Sequence, residues 1–439
     1  MYSITSMKNL SGWGRFPKFN TKELVPKSEY ELFESLKNTK SFIPRGNGRA
    51  YGDSAVNSNT TINMTKMNKF LEWNQKSGEL IAESGVLIAD IIQTFLPQGW
   101  FPFVTPGTKF VTLGGAIACD VHGKNHHKEG SFGNYINWIE IIVNNNKIIK
   151  CSPTENSKLF HWTIGGMGLT GIIIRCSIKL KKVESGWIRQ KNIVNNNLDE
   201  TIKSFYEHEN STYSVAWIDC FATGKSFGRS ILMLGEHVKK NKVGSKFLVY
   251  PQNKKQLLSL FFTPPSFLLN NFTISIFNFL YFNKQKNKDT FFVDWDTYFY
   301  PLDSIRNWNR MYGKDGFFQF QCVLPKELSI IGYRKILTKI QKETSGAFLA
   351  VLKNFGPGNG NMSFPKEGFT LALDFKATSR NITVGRELIN IVNDLGGNIY
   401  LAKDAIMNDS DYNKDFNIKE FSKVRHSSIY SEQSIRLNL

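Results

Sequence analysis

Two glycine-rich stretches carry the residues best suited to chemistry. Pro44-Arg45-Gly46-Asn47-Gly48-Arg49-Ala50-Tyr51-Gly52-Asp53-Ser54 sets three glycines around two arginines. Glycines at that spacing let backbone N–H groups converge on an anion, and the guanidinium groups supply countercharge. The second stretch, Thr105 to Asn134, holds six glycines, three histidines and one aspartate in thirty residues. Glycine weakens a helix or strand by roughly 0.5–1 kcal/mol against alanine, so the cluster is expected outside ordinary helix or sheet, where backbone turns or approaches something closely. Gly114-Gly115-Ala116-Ile117-Ala118 leads into Cys119-Asp120-Val121-His122-Gly123-Lys124. It reads as backbone lying against a large ligand with a polar set at its reactive end, or as a purely structural glycine loop.

Other chemistries find less support. The first stretch is spaced GxGxxxG, and no acidic residue closes a second βαβ strand, which disfavours a Rossmann nicotinamide site. Gly166-Met167-Gly168-Leu169-Thr170-Gly171 matches GxGxxG, but a strand pattern, Ile172 to Ile178, follows where phosphate binding needs a helix. No Walker A sequence occurs. His126-His127 lacks a third ligand at useful spacing, so no metal is expected. Five widely spaced cysteines without a CxxC pair suggest a reducing compartment, and the N-terminus has no signal-peptide core.

The formal net charge of +18 suits nucleic acid, an anionic membrane surface or a phosphorylated substrate, or reflects a spread lysine and asparagine bias. No arginine-rich arm, zinc-finger spacing or RNP-like motif is present, so nucleic acid is not expected.

The elements that must position these residues are legible in outline. At 439 residues, with 41% hydrophobic and 21% charged residues, the chain should hold two domains, or one with a large insertion. The patterning predicts a helix over 27–38, strands over 41–43, 61–64 and 80–86, a helix over 87–96, and a hairpin of 138–143 with 147–151. Ser152-Pro153-Thr154-Glu155 has the form of a helix start. Beyond residue 186 the chain turns β-rich, with strands over 213–220, 230–234, 317–324, 347–353 and 369–375, and helices over 326–344 and 383–395. The class is α+β. A first domain of 1–185, completed by 396–439, would sit beside a second of 186–395 built on an antiparallel sheet. In the tail, Phe416 and Phe421 are expected to pack.

An insertion at about 239–290 stands apart. No acidic residue occurs between Glu236 and Asp289, while lysines stand at 239, 240, 242, 246, 254, 255, 284, 286 and 288. Leu257 to Phe282 is uncharged and long enough to span a membrane, but Pro264-Pro265 and Asn270-Asn271 interrupt it. An interfacial excursion is expected, each lysine adding about 1 kcal/mol near an anionic leaflet; a buried hydrophobic insertion is the alternative.

The ordered series PRGxGRxYGDS (44–54), PGTxxVTxGGAIACDxHGKNHHxxGSFGN (106–134), GLTGII (168–173), FGPGN (355–359), LxxDF (371–375) and YxAKD (400–404) resembles the decaprenylphosphoryl-β-D-ribose 2′-oxidase family. Those are FAD flavoproteins of the vanillyl-alcohol-oxidase, or PCMH, type. The resemblance runs from about residue 40 to 405 and implies a two-domain fold. By it, Pro44 to Ser54 would cradle the FAD pyrophosphate. Gly107, Thr112, Leu113, Gly114, Gly115, Cys119, Asp120, Val121 and His122 would line the rest of the cofactor, with Ile173 and Tyr400 closing the site. Covalent relatives carry a histidine in the first loop, where this chain has Arg49-Ala50-Tyr51, so non-covalent FAD is implied.

Lys403 matches the family's essential lysine, and Tyr51, His122, Lys124, Trp217, Gln321 and Lys353 match positions around the substrate. Thr370 and Ala372 replace the family's asparagine and cysteine, which alters that wall. The implied reaction is oxidation of the 2′-hydroxyl of a polyprenyl-phosphate-linked pentose, completed to an epimerisation by a separate NAD(P)-dependent short-chain reductase. A lysine or histidine beside the hydroxyl contributes roughly 10²–10⁴ in rate; Lys403 and His122 are the expected catalytic residues. Lys124 and Lys353 would hold the phosphodiester as point charges. Such a protein would be cytoplasmic or peripheral to a membrane, with the periplasm also open. The alternatives are a soluble sugar, alditol or aldonolactone oxidase, and a non-catalytic basic protein that binds membrane or nucleic acid.

Overall fold

The computed structural model describes residues 7–252, 258–260, 270–286, 289–344, 347–412 and 418–439. Pro264-Pro265, Phe416 and Lys254, Lys255 and Lys288 lie outside them. Near the N-terminus, β1 (Met7–Ser11), β2 (Lys18–Leu24), β3 (Ile43–Arg45) and β4 (Thr60–Asn63) form a sheet in the order β1-β2-β4-β3. Helix α1 (Glu29–Lys37) crosses between β2 and β3, its N-terminus capped by the Ser28 side chain. The strand expected at 41–43 begins two residues later. Parallel pairing with β4 extends it through Pro44 and Arg45, so the first glycine loop springs directly from a strand end.

A second sheet gathers β5 (Phe70–Asn74), β6 (Glu79–Glu83), β7 (Trp100–Pro102), β8 (Ile136–Val143), β9 (Lys147–Cys151) and β10 (Ile172–Lys182). The β8–β9 hairpin turns at Asn145 and Asn146, both at positive φ, a conformation asparagine tolerates better than most residues. Helix α2 (Ile88–Phe95) packs an apolar face into the sheet's core. The glycine stretch departs from expectation, because it contains helix. Thr112 Oγ1 accepts from Gly115 N and caps a short α3 (Leu113–Ala118), and α4 (His126–Glu129) follows. One side-chain cap and burial of Leu113, Ala116 and Ile117 outweigh the low propensity of two glycines. Helix α5 starts later than expected (Ser157–Thr163), since Ser152 Oγ instead accepts from Thr154 N and Glu155 N to close a turn.

The third sheet is antiparallel and joins β11 (Trp187–Asn195), β12 (Tyr213–Ile218) and β13 (Ser230–His237) to later strands. The short β14 (Leu258–Ser259) lies apart, then β15 (Thr290–Asp294) joins the sheet edge while β16 (Ile305–Arg306) pairs with β14. With β17 (Phe317–Leu324), β18 (Ala347–Phe355), β19 (Gly368–Lys376) and β20 (Asn398–Ile399) the order is β15-β11-β13-β12-β18-β19-β17-β20. Successive side chains on a strand face opposite ways. One set here, including Ile218, Leu232, Phe320, Leu352 and Leu373, packs beneath α6 (Leu198–Glu207), α9 (Ser329–Glu343) and α10 (Ser379–Asp394). The other set faces the first two sheets across a cavity.

Two segments finish the enclosure. Helix α7 (Asn271–Lys286) lies over β11 and β13 on the cavity side, followed by α8 (Trp295–Phe299). At the C-terminus, α11 (Ile418–Ser422) packs Phe421 against Trp162 of α5, and the chain then returns to the first sheet, where Phe42 bridges Ile429 ahead of α12 (Glu432–Arg436). Because β20 still belongs to the third sheet, that return starts only after Ile399.

Candidate active site

The first glycine loop forms one end of the cavity. A Cβ on Gly46 would sit 2.2 Å from Thr112 Oγ1 and so displace the cap of α3; loop and helix start touch backbone to side chain. Gly48 has φ +63°. Arg45 is spent on the fold, donating to Ser11 O (2.8 Å) and Ala55 O (3.1 Å). Arg49 stacks over Trp13, 4.0 Å from its ring centroid, and faces the charge of Asp303. Asn47 Nδ2 donates to Phe110 O at 2.8 Å. Both guanidinium groups therefore stand at the loop, that of Arg45 packed close against Gly48.

Helix α3 forms the adjoining wall through Thr112, Gly114 and Gly115, continued by Cys119, Val121 and His122. Tyr400 Oη donates to Cys119 O (2.9 Å), which pins the turn 400–404 to the end of α3. Burial and the nearby Asp120 and Lys403 act on the Cys119 thiol, and the net is upward, to about 12, so it stays protonated at neutral pH. The His122 ring lies against Phe355, Phe364 and Tyr400, and Gln321 Nε2 donates to its Nε2 at 3.0 Å. With that donor assigned, the ring proton rests on Nδ1. Burial, then Lys353, drives the His122 pKa well down, so the ring is neutral at pH 7.

The third sheet supplies the opposite wall. Ile231, Trp217, Val351, Ala372 and Gln321 are successive register partners, one row running across β13, β12, β18, β19 and β17. In the next rows Lys353 pairs with Thr370, and Gln319 with Asp374. The alternating face thus brings Trp217, Gln321, Lys353 and Asp374 onto one surface although they span more than 150 residues of chain.

Charge concentrates where the walls meet. Lys403 reaches out of the turn, with Nζ 3.8 Å from the Tyr51 ring centroid. Burial lowers its pKa to about 7, against the pull of Asp374 and with the push of Lys353. Asp374 accepts from Gln319 Nε2 (2.5 Å) and Tyr312 Oη (3.1 Å), and burial raises its carboxyl to about 6. Lys353 falls to about 8 by burial, and Lys124, whose Nζ donates to Tyr298 O, to about 7 by burial and Lys353. Three lysines gather here around one carboxylate, so this end can turn net positive when an anion enters and favours their charged forms.

The cavity encloses about 500 Å³ and is lined by Pro44 to Tyr51, Ser54, Gly107, Thr112, Gly114, Gly115, Cys119, Val121, His122, Lys124, Ile173, Trp217, Gln321, Lys353, Tyr400 and Lys403. Gly52, Asp53, Leu113, Asp120 and Thr370 are not on this wall. A Cβ on Gly52 would lie 2.0 Å from Asp404 O, so that glycine seats the loop on the Lys403 turn. Asp53 pairs with Arg436 (2.7 Å), and Leu113 is wholly buried in the core of the second sheet. Asp120 accepts from Ser131 Oγ (2.7 Å), Gly133 N (2.8 Å), Asn359 Nδ2 (3.0 Å) and Ser363 Oγ, which fixes the loop beneath the cavity. Thr370 stands behind Gln321, accepting from its Nε2 at 3.2 Å. His126 accepts from Gly356 N and His127 meets Ser211 O, so both histidines are tied to backbone.

Sequence reasoning passed over Asp374, Gln319 and Asp303 as site residues, and Phe277 and Tyr281 of α7. One signal was available: Asp374 is the lone polar residue in the otherwise apolar stretch Leu371-Ala372-Leu373-Asp374-Phe375, and a buried carboxylate needs a partner.

The cavity fits FAD. It runs from the twin-arginine loop to the lysine cluster, Gly107 presents open space where a side chain would intrude, and Arg49 Nε, Ser84 Oγ and His122 Nδ1 are buried along it without a partner among the described residues. Comparison with known proteins agrees. Residues 24–152 match the FAD binding domain family. Over 414 residues, 91% of this chain and 90% of the relative, the sequence is 34% identical to decaprenylphosphoryl-β-D-ribose oxidase of Mycolicibacterium smegmatis. More distant similarity reaches a D-lactate dehydrogenase of Anaerostipes hadrus (29% identity; 30% of this chain, 29% of the relative). It also reaches bovine L-gulonolactone oxidase (25% identity; 30% of each chain). Those two matches are partial, whereas the first covers nine-tenths of both chains, and on that ground this chain belongs to the decaprenylphosphoryl-β-D-ribose oxidase family of FAD-linked oxidoreductases.

Proposed function

We propose that this protein oxidises the 2′-hydroxyl of a polyprenyl-phosphate-linked pentose to the 2′-keto sugar. The observation that carries the reading is the joining, in one cavity, of Lys403 beside Asp374 with Lys124 and Lys353, neither of which has an ion-pair partner among the described residues. FAD, when bound, supplies the two-electron acceptor for cleavage of the carbon–hydrogen bond. The chain's own residues do the rest. Burial lowers the Lys403 pKa to about 7, which makes its neutral form accessible near physiological pH to take the hydroxyl proton, while a bound phosphodiester would hold Lys124 in its charged form. Asp374 stabilises the ammonium that results. Neutral His122, oriented by Gln321, serves as a hydrogen-bonding group rather than a charge. Lys124 and Lys353 take the phosphodiester, and Trp217 with its apolar row offers a surface to the sugar and the first prenyl carbons.

The segment Arg49-Ala50-Tyr51, in the loop where covalent relatives carry a histidine, supports dissociable FAD. The 2′-keto product is the substrate a NAD(P)-dependent short-chain reductase would need to complete an epimerisation. A substrate whose prenyl chain stays in the bilayer supports a peripheral membrane location. Anaerobic titration tests the reading: prenyl-phosphoryl ribose should bleach the flavin, while free alditols and gulonolactone should not. Bleaching by the free sugars alone would make it a soluble sugar oxidase.

A further inference from the structure

Helix α7 is apolar on nearly every side, which is unusual for a helix at a protein surface. Ile274, Asn278 and Phe282, one per turn, are buried against the third sheet. Asn278 Nδ2 donates to Asp219 (2.8 Å), and Phe282 packs with Trp217 and Ile231. Next around the helix, Phe277 and Tyr281 line the cavity; Tyr281 lies 5.9 Å from Phe277 and 4.9 Å from Trp217, centroid to centroid. The outward face carries Phe272, Ile276, Phe279 and Leu280, at 73, 45, 57 and 61% exposure. Their spacing makes one stripe. Lys239, Lys240, Lys242, Lys246 and Lys284 are exposed, and no acidic residue stands between Glu236 and Asp289.

We propose that α7 docks in the interface of an anionic bilayer through Phe272, Ile276, Phe279 and Leu280, so that the wall made by Phe277 and Tyr281 opens the cavity onto lipid. The lysines choose the occupant: a basic segment without acidic residues is complementary to anionic headgroups, and the apolar stripe to the acyl boundary beneath them. A prenyl chain would then pass from bilayer to Trp217 along Phe277 and Tyr281 without crossing water. This passage rests on the substrate assignment above; the docking does not.

The test uses the full-length, flavin-loaded protein and the variant Phe272→Ser/Phe279→Ser/Leu280→Ser, whose residues do not line the cavity. Co-sedimentation with phosphatidylglycerol/phosphatidylcholine vesicles should capture the unaltered protein, weaken as salt rises, and fall by at least about tenfold in the variant. The variant should keep its flavin absorbance, its melting temperature and its flavin reduction by detergent-dispersed prenyl-phosphoryl ribose. Equal capture of both proteins, no capture of either, or a doubled solution mass lost in the variant (the stripe then joining two copies) would overturn the proposal. Capture without flavin reduction by any prenyl-phosphoryl pentose would leave the docking standing and remove the substrate assignment.

Discussion

Lys403 and Asp374 share one buried site, and their charges cannot be assigned independently. Burial disfavours both ionised forms, and attraction between the two partly restores them. If neutral Lys403 takes the hydroxyl proton, flavin reduction should be slow below pH 7 and rise to a plateau above it. Asp374→Asn removes the charge that raises the lysine pKa. Stopped-flow flavin reduction should then show the same rise displaced to lower pH by about one unit. A limb that stays in place would separate Lys403 from the proton. Lys403→Ala should bind FAD and lose roughly 10²–10⁴ in the reduction rate. Retention of the full rate would dismiss the lysine as base.

At the scale of elements, the cofactor loop and the Lys403 turn are packed as one piece. Tyr51 N donates to Ala402 O at 2.9 Å, and Gly52 lies against the Asp404 carbonyl. Any side chain at residue 52 must displace backbone, which cannot rotate away as a flexible side chain would. Gly52→Ala should therefore cost about 1–3 kcal/mol, the usual toll of overpacking, and show as a lowered melting temperature with weakened FAD retention. An unchanged melt would mean that loop and turn are less tightly apposed than these distances imply. The third sheet contributes differently. Its row of register partners holds Trp217, Ala372 and Gln321 at fixed spacing, so a bulkier residue at Ala372 would fill the wall without touching the cofactor loop.

Across the whole molecule, the last residues close the structure over its first. Arg436 donates to both oxygens of Asp53 and to Asp404 (3.0 Å), and Gln433 to Leu401 O and Asp404, so α12 clamps the cofactor loop to the Lys403 turn. Removing one partner from so buried a network leaves two carboxylates uncompensated. Arg436→Met should cost about 3–5 kcal/mol by thermal or denaturant unfolding and speed FAD loss on dilution. A neutral effect on both would reduce α12 to a surface appendage. Lys109 and Asp296 (2.5 Å) make a second buried pair, tying the glycine stretch to α8.

The sequence by itself determined many of the strands and helices in both halves, the glycine loops, and the ordered motifs that mark an FAD enzyme, but not the strands β1, β2, β5, β11 and β15. Those are local properties: period two or 3.6, cap residues, and loops whose backbone must turn. It misjudged the Gly114-Gly115 segment, because a cap and a buried face overrode weak propensity. Only the tertiary structure decided that Trp217, Val351, Ala372 and Gln321 form one row, that Asp374 faces Lys403, and that Arg436 reaches Asp53 across the length of the chain. The physical reason is register. Alternation tells which residues share a strand's face, but which distant strand lies alongside, and in what alignment, is settled only when the whole sheet buries that face.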